Sequence, residues 1–111
     1  MGMTVEQVNG TTIVCPEGPR LDAAAAPRFK SEMVDIITRG STRIIVDLSR
    51  IDFIDSSGLS SMMSTMKTLV GQGEMVLCGV SEKLRTLFSI TKLDRGVFRI
   101  FDSRAQALNG L

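Results

Sequence analysis

Residues 42–49, TRIIVDLS, set two isoleucines and a valine side by side with no polar residue between them. Successive side chains of a strand point to opposite faces of its sheet, so this strand hides both faces and needs a layer of structure on each. Few architectures meet that requirement. The commonest is a mostly parallel sheet whose crossover connections are helices. Residues 71–80, GQGEMVLCGV, carry a second run of the same kind. The stretch between the two runs has helical spacing. Over residues 57–70, Leu59, Met62, Met63, Met66, Leu69 and Val70 share an arc of roughly 120° on a helical wheel, which is a core-facing stripe. The opposite arc holds Ser60, Ser61, Ser64, Thr65, Lys67 and Thr68, a face of small hydroxyl-bearing side chains with little charge.

The flanks extend this pattern. TVEQVNGTTIVC reads as two short strands about Asn9-Gly10, a dipeptide that tolerates the positive φ of a tight hairpin turn. PEGPRLDAAAAP then leaves the sheet, and a helix is expected over residues 24–39, with Pro27 in its first turn, Phe29, Met33, Ile36 and Ile37 on its apolar face and Gly40 ending it. SEKLRTLFSITKL predicts a helix capped by Ser81, with Leu84, Leu87, Phe88 and Ile90 as its stripe. VFRIFDS supplies a last strand and RAQALNGL a short terminal helix. The predicted fold class is α/β, a single domain over residues 1–111 with an N-terminal β-hairpin, then alternating helices and strands, and a mixed, mostly parallel sheet with helices packed on it.

Composition removes several function classes. The chain has no histidine, which excludes a serine-histidine-aspartate hydrolase and a histidine-bearing zinc site. Thirteen basic residues against twelve acidic ones, without a basic block, argue against nucleic-acid binding. Cys15 and Cys78 sit among apolar neighbours without Cys-x-x-Cys spacing and read as buried free thiols. No metal site, cofactor or catalytic residue is expected. There is neither an apolar run of about 18 residues nor a secretory pattern, so no membrane contact and a cytoplasmic location are expected.

The chemistry concentrates at residues 47–59, DLSRIDFIDSSGL, where a buried strand gives way to a helix. The first amides of a helix lack internal partners, and Asp55 or Ser56 can cap them. Gly58 can serve close packing of helix on sheet. One cap needs one oxygen, whereas this segment supplies Asp55, Ser56 and Ser57 in succession, with Asp52 close by. The junction also falls at the carboxyl end of a central strand, where open α/β sheets tend to bind ligands.

VDLSRIDFIDSSGLSSMMSTMK resembles the signature of STAS domains, specifically the freestanding bacterial anti-sigma factor antagonists. GPRLDAAAAPRFK is similar to the family's Gly-x-Leu-Asp segment before the first helix, and GQGEMVLCGVSEKLRTLFSITKLD matches in tenor, so the resemblance covers nearly the whole chain. It implies a partner-switching regulator and not an enzyme. Ser56 takes the position of the serine phosphorylated by a partner that is both an anti-sigma factor and a serine-protein kinase. The unphosphorylated form binds that partner and releases the sigma factor or another output; phosphorylation abolishes binding, and a metal-dependent serine phosphatase resets the cycle. The implied partner surface comprises Asp22, Asp55, Ser57, Gly58, Ser60, Ser61 and Ser64, with Asp55 able to orient the Ser56 hydroxyl, and the free protein is expected to be a monomer. Ser60 stands where many relatives have a second glycine, and Pro19 beside a turn that usually lacks it. The alternative is a STAS scaffold subunit that is not phosphorylated and docks on a transporter ATPase; the intact Ser56-Ser57 pair counts against it.

Overall fold

The computed structural model describes residues 2–111. The hairpin forms as its sequence predicts: β1 (Met3–Val8) pairs antiparallel with β2 (Thr11–Pro16), and Asn9 and Gly10 turn the chain at φ of 51° and 81°. Two strands follow that are too short for any pattern to reveal. They are β3 (Arg20–Leu21) and β5 (Phe53–Ile54), which pair with each other in parallel and form a separate two-stranded sheet. Between them lie α1 (Ala26–Thr38), with Pro27 in its first turn, and β4 (Arg43–Asp47). The chain continues through α2 (Ser56–Leu69), β6 (Glu74–Cys78), α3 (Glu82–Ile90), β7 (Ile100–Phe101) and α4 (Arg104–Gly110).

The main sheet has the order β1-β2-β4-β6-β7, parallel everywhere except at the opening hairpin. The run around Ile44–Val46 therefore occupies its middle strand. Strand alternation divides the interior in two. Val14, Ile44, Val46, Met75 and Leu77 face a large core built with Phe29 and Met33 of α1, Met62 and Leu69 of α2, and Leu84 and Phe88 of α3. Ile13, Ile45, Val76 and Cys78 face the other way, where Ala107 of α4 covers them. Phe88 meets Phe98 edge to face, ring centres 5.9 Å apart, which joins α3 to the chain leading into β7.

Two apolar residues of the predicted stripes lie outside the core. Val70 and Ile90 are 73% and 74% exposed, because α2 and α3 reach their ends there and the chain turns away before either side chain meets the sheet. Both cysteines are buried free thiols. Burial, helped by the adjacent Asp47 carboxylate, pushes the Cys78 thiol up to about 12. Among the described residues, no helix is long and apolar enough to cross a membrane.

The sheet is tied to its last helix by charge. Asp47, 6% exposed at the end of β4, accepts from Arg104 Nε at 2.6 Å, and the same guanidinium bonds Glu6 of β1. Burial works to raise the Asp47 carboxyl, but the Arg104 bond and the Ser49 amide at 2.9 Å outweigh it and hold the group below its ordinary value.

Candidate functional site

Asp55 is the residue that caps α2. Its backbone is extended, and its Oδ1 accepts from the Gly58 amide at 3.0 Å. Ser56 is thereby left as the first helical residue, with its side chain exposed. Gly58 is required by close approach. A Cβ built there would stand 2.1 Å from the Leu21 carbonyl oxygen of β3 and 2.9 Å from Ile54 Cγ2 of β5, so only a residue without a side chain lets α2 start against the small sheet.

Asp22 sits opposite, in the turn between β3 and α1. Its Oδ1 accepts from the amides of Ala24 and Ala25, both at 3.2 Å, and its Oδ2 pairs with Arg20 Nε at 3.1 Å. The Arg20 bond is the main cause that holds the Asp22 carboxyl below its ordinary value, against a smaller opposing effect of burial and with help from the two amides. Arg20 in turn lies over the Phe53 ring, 4.2 Å from its centre, which fastens β3 to β5 across their outer face. The Asp22 turn and the Ser56 turn are thus adjacent, although the sequence separates them by more than thirty residues.

From this point α1 and α2 bound a groove of about 620 Å³. Ala23, Ala26, Pro27 and Lys30 form one wall, and Ser56, Ser57, Ser60, Ser61 and Ser64 the other. The hydroxyl face of α2 is not uniformly open, as a polar face would be. Ser61 and Thr65 are 6% and 1% exposed, packed inward with their hydroxyls donating to the Gly58 carbonyl at 2.7 Å and the Ser61 carbonyl at 2.9 Å. A hydroxyl that bonds its own helix carries no unsatisfied polarity into the interior, so it substitutes for a small apolar residue. Ser56 and Ser60 are exposed, while Ser57 and Ser64 are half-buried. Ser56, Ser57, Ser60 and Ser64 line the groove, with Asp22 and Asp55 in the adjoining turns, whereas Gly58, expected on the partner surface, is buried against Leu21 and Ile54, and the Ser61 hydroxyl turns into the helix. Ala26, Pro27 and Lys30 of α1, with Ala23 from the turn before it, form a wall that the sequence did not reveal; the four-residue spacing of Ala26 and Lys30 on one helical face was its signal. Among the described residues, no group of three or more histidine, cysteine, aspartate or glutamate side chains could hold a metal ion.

The exposed serine at the start of α2 and the aspartate turn beside it lie in a chain that a family model matches almost end to end. The STAS domain model matches residues 2–107, and the chain belongs to that family. The proteins it is similar to include several named anti-sigma factor antagonists. The chain is 32% identical over 108 residues to BtrV of Bordetella bronchiseptica, which is named as an anti-sigma factor antagonist, with 96% of this chain and 91% of that one covered. It is 34% identical over 74 residues to the anti-sigma-B factor antagonist of Listeria monocytogenes, covering 66% of this chain and 65% of the other. Among solved structures it is similar to the Bacillus cell fate determinant SpoIIAA in its phosphorylated form, at 25% identity, 98% coverage of each chain and a TM-score of 0.74.

Proposed function

We propose that this protein is a phosphorylation-controlled partner switch of the cytoplasm, in which Ser56 is the phosphoacceptor and the groove between α1 and α2 with the Asp22 turn is the partner surface. The unphosphorylated chain binds an anti-sigma factor that is also a serine kinase, and so frees the sigma factor or another output. The observation that carries this reading is the position of Ser56: exposed, first in α2, and on the rim of the groove. The anti-sigma factor antagonist relatives, one solved with a phosphoryl group, support the class of partner.

The physics of the switch follows from charge. Transfer of a phosphoryl group to the Ser56 oxygen adds roughly −1.5 to −2 charges. The N-terminus of α2 favours an anion, so the fold tolerates it. A partner seated on the groove must instead strip water from that charge beside Asp55, and unpaired buried charge is costly. Phosphorylation therefore removes an interface without unfolding the domain, and a metal-dependent serine phosphatase restores it.

Intact mass and peptide mapping of the protein isolated from its own cells test the reading. A phosphoryl group on Ser56, absent from a Ser56→Ala strain, is the expected result. An unmodified Ser56 under every growth condition tried, with the groove occupied by a transporter ATPase instead, would turn the assignment to the scaffold alternative.

A further inference from the structure

Both carboxylate oxygens of Asp55 accept backbone amides. Its Oδ1 takes the Gly58 amide, which is the whole of what capping α2 demands. Its Oδ2 accepts from the Ala23 amide at 3.1 Å, and Ala23 lies 32 positions back in the chain. The amide of Asp55 itself donates to the Leu21 carbonyl at 3.3 Å, and its carbonyl accepts from Leu59. The three successive amides of Ala23, Ala24 and Ala25 are thus divided between two carboxylates, Asp55 receiving the first and Asp22 the next two. A helix cap alone explains none of that sharing.

Resting on the reading of Ser56 as the phosphoacceptor, we infer that Asp55 is a positioning residue: one carboxylate locks the Asp22 turn and the Ser56 turn into a single surface that the partner meets as a unit. This differs from a role in orienting the Ser56 hydroxyl. Each oxygen of the Asp55 carboxylate accepts a backbone amide, and among the described residues no hydrogen bond joins the Ser56 hydroxyl to it. Gly58 completes the device. With no Cβ to strike the Leu21 carbonyl, Gly58 lets α2 lie near enough to β3 for the Ala23 bond to form.

Asp55→Asn separates positioning from capping. Asparagine is as good an N-cap as aspartate, but its amide nitrogen is a donor and cannot accept from Ala23. In amide-exchange measurements on the full chain, Asp55→Asn should speed exchange at Ala23 by about tenfold or more, while Gly58 and the Ser81-capped Leu84 stay close to wild type. Asp55→Ser, which keeps one cap oxygen, should do the same and guards against a variant that folds poorly. For partner binding, Asp22→Ala and Asp55→Asn should each weaken affinity for the purified kinase, and the second substitution should add less than about twofold to the first, because both break one unit. Unchanged protection at Ala23, or penalties that simply multiply, would overturn the positioning role. If Ser56 of the wild type is never phosphorylated, the site assignment fails, and the Ala23 exchange result still decides the role of Asp55.

Discussion

Gly58→Ala sets two effects of opposite sign against each other. In an exposed helix interior, alanine is worth about 1 kcal/mol over glycine, so propensity alone makes this a stabilising change. The new methyl would stand 2.1 Å from the Leu21 carbonyl oxygen. An ordinary carbon–oxygen contact is about 3.3 Å, so α2 and β3 must part by about 1 Å. The obstacle is backbone, which cannot swing aside as a side chain would, and β3 is held by its pairing with β5 and by Arg20 on Phe53. Overpacking of this kind costs about 1–3 kcal/mol, and the rigid obstacle argues for the upper end. After the propensity gain is subtracted, a net loss of about 2 kcal/mol remains. For a domain of this size that is a fall of roughly 8 °C in melting temperature. Thermal and urea melts followed by circular dichroism would read it, with Ser60→Ala on the exposed face as a control that should be neutral or slightly stabilising. A Gly58→Ala protein as stable as wild type would refute the claim that the Leu21 carbonyl fixes the start of α2.

Arg104→Ala leaves the buried Asp47 carboxylate without its partner and should cost about 3 kcal/mol by urea denaturation, more than Asp47→Asn does. The depressed Asp47 carboxyl stabilises the fold above its unfolded pKa of about 3.9 and loses that contribution as the pH falls through the lower folded value. Denaturation midpoints of wild type should therefore drop more steeply than those of Asp47→Asn below about pH 4. Native protein at pH 8 should leave both thiols unreactive toward Ellman's reagent, whereas denatured protein should titrate two; fast labelling of Cys78 in the native state would contradict its burial. Ser56→Asp should melt within a few degrees of wild type and lose partner binding, since a helix N-terminus accepts the added charge.

The main sheet and its helices were legible because their signals are local. The run Ile44–Val46, the Asn9-Gly10 turn and the Ser81 cap each state their structure within a few residues, and each is found where the pattern placed it. What the sequence hid depends on distant partners. The two-residue strands β3 and β5 have no periodicity to detect and exist through each other and through Arg20 over Phe53. Ser61 and Thr65 read as polar surface, yet their hydroxyls bond their own helix and pack inward. Val70 and Ile90 read as core, yet each lies where its helix ends. The position of Ser56 at the head of α2 could be read from Asp-Ser-Ser-Gly, but the second arm of Asp55 could not, because nothing in the sequence near it points to Ala23.

The switch itself is tested most directly by titrating two forms of the chain, unphosphorylated and carrying phosphoserine at position 56, into the purified anti-sigma factor kinase in a calorimeter. The unphosphorylated form should bind, and the phosphorylated form should bind at least about a hundredfold more weakly while melting at nearly the same temperature. Equal affinities for the two forms, or a phosphorylated chain that fails to bind because it has unfolded, would contradict the account.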